Sequence, residues 1–237
     1  MQTLKREYFP LQPGQRVLDL GCGEGRHVIA AHAIDGVDAV GVALSARDLA
    51  TAAQRQREFV DGGEGSALFS LLVGDALTLP VPSATFDAVM CSEVLEHIPD
   101  WRAALTEIER VLKPGGLFCA SVPRAWPEQI CWWLSREYHD VPGGHLRIFS
   151  RPELRGAIID RGFECYREHG AHALHAPYWW LQCLFWKKRD TNWLIRQYHR
   201  FLVWDMMEQP AVTRALERAL NPVLGKSIVM YFRKSAS

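Results

Sequence analysis

Two kinds of apolar run alternate along the chain. "RVLDLGCG", "DAVGVAL", "LFSLLVGDA", "TFDAVMCSEV" and "LFCASVP" are short, aliphatic and bounded by glycine or polar residues, as strands covered on both faces are. Between them, "RHVIAAHAI", "SARDLATAAQRQREFV" and "WRAALTEIERVL" carry apolar residues at helical spacing among good helix formers. Strands and helices in strict alternation predict an α/β chain with a doubly wound, mostly parallel sheet, and "KPGG" reads as the stop of the third helix. "RPELRGAIIDRGFECYRE" repeats the helix and strand unit, with Ser150 as N-cap ahead of Pro152. "SIVMYFRK", 227–234, supplies a seventh strand.

Two stretches break the pattern. Residues 124–149 fit no simple unit, and 171–226 put a long, mostly helical segment where a hairpin between the last two strands needs only a few residues. Of nine tryptophans, Trp126, Trp132 and Trp133 fall in the first stretch and Trp179, Trp180, Trp186, Trp193 and Trp204 in the second, leaving Trp101 outside. The first stretch leaves the fifth strand at its carboxyl end, where open sheets bind ligands. Both are therefore expected to form one aromatic cap inserted into a single domain spanning 1–237; the core of a plain helical appendage, or a homodimer interface, is the alternative.

Composition narrows the partners. With 27 basic and 27 acidic residues the formal charge is zero, which gives no field for nucleic acid or an anionic membrane. Six cysteines without any C-x-x-C pair read as reduced, packed thiols, and no run suits a signal peptide or a membrane span, so a cytoplasmic protein is expected. The helix pattern "NWLIRQYHRFLVWDMM" is compatible with lying on a membrane surface, but its basic excess is small and a buried cap helix is the simpler reading.

Gly21, Gly23 and Gly25, with Cys22 among them, form a loop that opens a helix and can bring backbone N–H groups against a ligand. The dinucleotide pattern G-x-G-x-x-G fails, because the third glycine comes one residue early and Arg26 takes its place. The flanks decide: Asp19 within the first strand, "GDA" at 74–76, "FDAVMCSEVLEHIPD" at the end of the fourth strand, and "LKPGG". In these motifs and their order, residues 15 to about 170 resemble the class I S-adenosylmethionine-dependent methyltransferases, in particular the small-molecule branch that includes the ubiquinone and menaquinone methyltransferases. "GGHLRIFSRPELRGAIIDRGF" is similar to the family segment before its sixth strand.

The resemblance implies the Rossmann-like methyltransferase fold, methyl transfer to a small-molecule acceptor, and S-adenosylmethionine as cofactor. It implies that Asp19, Gly21, Cys22, Gly23 and Gly25 hold the cofactor, with adenine beside Asp75 and Ala76, the methionine end near Glu93, and the ribose at the end of the second strand, Ala43 and Leu44. The family usually has Asp or Glu where this chain has Ala43; a lost charged, bidentate hydrogen bond is worth ~1.5–3 kcal/mol. Ser45 and Asp48 are the local replacements. Without an acid there, an NADP-dependent oxidoreductase with Ser45 and Arg47 at a 2′-phosphate is a rival, and a non-catalytic methyltransferase-like binding protein another.

Methyl transfer from a sulfonium is an in-line displacement, and a base is needed when the nucleophile is a hydroxyl. Oxygen is the expected target, on an aromatic, glycan-like or isoprenoid-linked metabolite suited to indole faces. His145, His97 and then His139 are the candidate bases; Trp126, Trp133, Arg147, His172, His175, Tyr178 and Trp179 are the candidate substrate residues. His97 could equally be a helix-start residue packing on the cofactor, and His145 and Arg147 anchors of their loop. "HGAHALH" spaces His169, His172 and His175 at intervals of three, as on one helix face or about one metal, but substrate lining or plain loop is preferred and no metal is expected. Glu93 and Glu96 are read as separate charges, one facing the cofactor's cationic end and one at a helix terminus.

Overall fold

The computed structural model describes residues 3–59, 67–141 and 143–236. Strands β1 (Arg16–Leu20), β2 (Asp38–Ala43), β3 (Phe69–Val73), β4 (Phe86–Ser92) and β5 (Leu112–Pro123) alternate with helices α1 (Arg26–His32), α2 (Ala46–Phe59) and α3 (Trp101–Val111). Then follow α4 (Ala125–Leu134), α5 (Arg151–Ile159), β6 (Phe163–Ala171), α6 (Ala176–Leu184), α7 (Trp193–Glu208), α8 (Ala211–Leu224) and β7 (Ser227–Lys234). The seven strands form one sheet in the order β3-β2-β1-β4-β5-β7-β6, with β7 antiparallel to both neighbours.

The sheet is buried on both faces. Leu105, Ile108, Leu154 and Ile158 of α3 and α5 pack with Leu18, Val89, Phe118 and Phe232 on one side. Val28, Ala31 and Leu49 of α1 and α2 pack with Val17, Ala39, Met90 and Tyr231 on the other, joined by Leu4 and Phe9. The order reverses between β1 and β4, so the crevice opens at their carboxyl ends.

Local differences have local causes. "LKPGG" is not a turn after α3: β5 begins at Leu112, and its register to β4 shifts between Phe86 and Ala88. Gly115, at φ 75°, takes up that irregularity, so Pro and Gly bend a strand entrance instead of capping a helix. The second predicted helix ends at Phe59; its last residue, Val60, lies outside the described residues, as does Pro142 of the first irregular stretch. Ser150 does cap α5, its hydroxyl accepting from Glu153 N at 3.3 Å.

The two irregular stretches meet. Trp126 and Trp180 pack at 5.7 Å between centroids, Trp180 Nε1 donates to Pro127 O, and Trp126 Nε1 and the Arg124 guanidinium donate to Val223 O in the last turn of α8. Tyr198 of α7 donates its hydroxyl to Leu174 O, fastening α7 to the turn that leads into α6. No helix among the described residues is long and apolar enough to cross a membrane.

Candidate active site

At the carboxyl end of β1 the chain turns through three glycines, each with positive φ. A Cβ at Gly21 would lie 2.4 Å from Val94 Cγ2, and one at Gly25 2.8 Å from Ala52 Cβ, so both are fixed by close packing. Gly23 differs: nothing stands within 4 Å of its Cβ position, and its backbone faces open space. Asp19 accepts a hydrogen bond from Val28 N at 2.9 Å, which ties the strand to the first turn of α1. Burial pushes the Asp19 carboxyl up to about 7, against the opposing pull of Val28 N–H and Arg26. Burial, with the Asp19 charge behind it, raises the neighbouring Cys22 thiol to about 12.

The next two strands end in apolar side chains left in the open: Leu44 is 74% exposed and Val73 60%. Ala43 and Val73 pair across the sheet, so both groups stand at the carboxyl-end rim of neighbouring strands. Ala43 is buried and presents no polar atom. The Ser45 hydroxyl is committed as an acceptor to Asp48 N at 3.2 Å. Asp75 is exposed and holds its own turn by accepting from Leu77 N; Ala76 packs partly on the core. Glu93 sits at φ 56°, a costly conformation for a side chain of its size, and is locked there by two bonds to Ser121, one from Ser121 Oγ to Glu93 Oε1 at 3.0 Å and one from Glu93 N to Ser121 O.

Beyond β4 a cleft of about 760 Å³ opens among the turn that follows that strand, the segment around Tyr138 to His145, and helices α6 and α7. His97, Gly144 and His145 form one wall, and Tyr138, His175, Tyr178, Trp179, Gln182, Trp186 and His199 are among the residues of the others. The rings of His97 and His145 meet edge to face at 4.9 Å. Each has its Nδ1 engaged: His97 on Gly144 O at 3.2 Å, and His145 on Glu128 Oε1 at 2.6 Å. Both Nε2 atoms are left for other work.

Glu128, on α4, is 1% exposed and collects three donors, His145, Trp132 Nε1 at 3.2 Å and Tyr138 Oη at 3.4 Å. Burial alone would raise its carboxyl, but the His145 hydrogen bond, Lys226 and Tyr138 together hold it below the usual carboxylate range. Glu96 is the opposite case. It is fully buried, neither oxygen has a hydrogen-bond partner among the described residues, and burial first, then the Glu93 charge, drives its carboxyl well above the ordinary value. Glu96, His97 and His145 each bring a ligating atom within 4.8 Å of the others, so this corner could also hold a metal ion.

Of the residues expected to act on substrate, the structure brings His97, His145, His175, Tyr178 and Trp179 to this cleft. Others do not line it. His139 lies flat on Trp132, with centroids at 4.3 Å, and its Nε2 is 3.5 Å from Asp140. Trp133 is 83% exposed on the outer side of α4. Trp126 is occupied by Trp180 and Val223, and Arg147 spends its guanidinium on the carbonyls of Leu95, Ile98 and Pro99, an anchor for the loop after β4. His172 bonds Thr3 Oγ1 through Nε2 at 3.1 Å. The three histidines of "HGAHALH" do not share a face, because His169 is still in β6, against Tyr231, while the chain turns at His172. Glu96 does stand in the first turn of the short helix Leu95–His97, the place expected for it, but it is fully buried there.

Sequence reasoning missed Glu128, Gln182, Trp186 and His199. The signal for Glu128 was present: a lone acid inside the apolar run "AWPEQICWWL", one helical turn before Trp132. His199 had none, since helix α7 has polar residues on several sides.

A family model described as a methyltransferase domain matches residues 1–168. An O-methyltransferase of Pyrenophora dematioidea is 34% identical over 169 residues, 66% of this chain and 59% of that protein. The 27-O-demethylrifamycin SV methyltransferase of Amycolatopsis mediterranei is 35% identical over 172 residues, 72% of this chain and 62% of that protein. The chain thus spans about three fifths of the length of these relatives. Among solved structures the [4+2]-cyclase SpnF superposes with a TM-score of 0.65 at 20% identity, covering 98% of this chain and 78% of the other. Phosphoethanolamine N-methyltransferase 2 of Haemonchus contortus, in complex with S-adenosyl-L-methionine, gives 0.62 at 19% identity, covering 97% and 51%. With this fold, this glycine loop and a family match over more than half of its length, the chain belongs to the methyltransferase-domain family.

Proposed function

We propose that the protein transfers a methyl group from S-adenosylmethionine to a hydroxyl oxygen of a small, largely apolar acceptor held in the capped cleft. The observation that carries the reading is the His145 and Glu128 pair, a buried carboxylate on the Nδ1 of an imidazole that lines the cleft beyond β4. Two relatives named as O-methyltransferases, one with a stated acceptor, support oxygen as the target; sterol 24-C-methyltransferases also match, at 29% identity or less.

The residues at the loop fit the cofactor. Gly23 offers open backbone, Leu44 and Val73 offer exposed apolar walls for adenine, and Asp75 sits where an adenine amino group can donate to it. Asp48, in the first turn of α2 just after Ala43, is the nearby acid that would accept from the ribose that Ala43 cannot serve. Asp19 stands near the end of β1 beside the glycine loop and Glu93 follows β4, carboxyl groups at the carboxyl ends of two neighbouring strands, which suits a cationic ligand. When bound, S-adenosylmethionine supplies an electrophilic methyl on sulfur.

The chain's own residues do the rest. Tyr138, Tyr178, Trp179 and Trp186 hold a flat or apolar acceptor and exclude water. His145 Nε2 takes the hydroxyl proton as the oxygen attacks; Glu128 fixes the tautomer through Nδ1 and stabilises the imidazolium that forms. His97, whose burial keeps its pKa below the usual histidine value, stays neutral beside it. The test is formation of S-adenosylhomocysteine with a panel of phenols, hydroxylated polyketides and sterols. Turnover that His145→Ala abolishes supports the reading; full turnover in that variant removes His145 as base.

A further inference from the structure

Outside the cleft's acid and histidine corner, one more cluster of ligating groups stands without an assigned task. His172 ends the turn after β6, His175 starts α6, and Glu217 lies on α8; one ligating atom of each is within 4.8 Å of the others. All three belong to the segment 171–226, beyond the residues that the family model matches.

We infer that His172, His175 and Glu217 form a site for a divalent transition-metal ion of the zinc type, which fastens α8 to the turn between β6 and α6. Two imidazoles and one carboxylate suit zinc or cobalt; magnesium and calcium prefer all-oxygen sets.

Four features of the cluster point the same way. His172 Nε2 and Thr3 Oγ1 are hydrogen-bonded at 3.1 Å, and a ligating histidine characteristically spends one ring nitrogen on such a partner, which leaves the other for the ion. His175 Nδ1 is buried with no hydrogen-bond partner among the described residues, an expensive state for a ring nitrogen unless something coordinates or bonds it. Glu217 makes no ion pair among the described residues, although Arg214 stands one turn earlier on α8; that guanidinium donates to Gln209 Oε1 at 2.6 Å instead. Last, His172 is held at φ 66°, a left-handed conformation that a histidine adopts at a cost and that surrounding contacts must enforce.

The local backbone is set before any ion arrives. Ala173 N donates to Asn221 Oδ1 at 2.9 Å, and Gly170 approaches α8 so closely that its Cβ would lie 2.1 Å from Asn221 O. Lys226 opposes a cation here, since its charge bears on both histidines, but its ammonium lies over the Trp179 ring at 5.1 Å. Because His175 also lines the cleft, an ion at this site would stiffen the cleft wall.

The experiment uses the full chain stripped with chelator, titrated with Co²⁺ followed by its visible d–d absorption, and with Zn²⁺ followed by calorimetry and thermal unfolding. It compares wild type with His175→Ala, Glu217→Gln and His145→Ala, and needs no methyl transfer. One equivalent of Co²⁺ with a low-symmetry spectrum, a rise in Tm with Zn²⁺, and at least tenfold weaker binding in His175→Ala and Glu217→Gln but not in His145→Ala is the expected result. Should His175→Ala fail to fold, Glu217→Gln, at a partly exposed position, decides alone. Binding that survives Glu217→Gln, binding lost only in His145→Ala, which would place the ion at Glu96, His97 and His145, or no binding by wild type overturns the inference.

Discussion

The glycine-loop side of the crevice and the cap side are built on opposite principles. On the loop side, backbone does the work: Gly21 and Gly25 pack to within a Cβ of their neighbours, and Gly23 faces open space. On the cap side, side chains do it: Glu128 gathers His145, Trp132 and Tyr138, while tryptophans from two distant stretches interlock. A backbone cradle tolerates little change in shape but suits one constant ligand. A side-chain wall can be rebuilt residue by residue, which is what a protein needs where the acceptor varies.

If that division holds, the largest effect belongs to the cap's dyad. His145→Ala or Glu128→Gln should lower kcat by about 10²–10⁴-fold with cofactor affinity unchanged, measured by S-adenosylhomocysteine formation and by calorimetry. Next comes the loop: Gly21→Ala combines a positive φ with a Cβ 2.4 Å from Val94. It should weaken cofactor binding by about 2–4 kcal/mol and leave the cap's tryptophan fluorescence intact.

The strand end at Ala43 sharpens the contrast by gain. Ala43→Asp restores an acid at the ribose position and should tighten cofactor binding by roughly ten- to a hundredfold; no gain would mean that Asp48 already fills the role.

Asp19 gives a pH signature. Its carboxyl stands at about 7 in the folded chain, against roughly 3.9 unfolded, so the folded state holds a proton between those values that the unfolded state has lost, and stability falls as pH rises through that window. A cationic sulfonium favours the ionised form. Affinity for S-adenosylmethionine should therefore climb by up to about tenfold per unit as pH rises towards about 7, then level. S-adenosylhomocysteine, which lacks the positive sulfur, should show a flatter profile, and Asp19→Asn should remove the difference. Smallest of all, Trp133→Ser, at an exposed ring away from the cleft, should change stability by less than about 0.5 kcal/mol and turnover not at all.

The same contrast explains what the sequence made legible. The alternation of strands and helices and the glycine loop follow from local periodicity, and the predicted β7 boundaries, 227–234, coincide with the observed strand. The "LKPGG" stretch misled because Pro and Gly bend strands as readily as they end helices. In the cap, residue type was a weaker guide than partners. His139 and His145 look alike in the sequence, but one stacks on Trp132 and the other meets a buried acid. Trp133 and Trp132 are neighbours on α4 and face opposite ways, since adjacent helical positions point about 100° apart. Glu128 joins His145 across 17 residues, a contact that no local spacing encodes.

The most direct measurement is calorimetric titration of the purified protein with S-adenosylmethionine, S-adenosylhomocysteine and NADPH in parallel. Micromolar binding of the first two and none of the third is the predicted result. Binding of NADPH alone, or of none of the three, would contradict the account at its centre, the glycine loop as a cradle for S-adenosylmethionine.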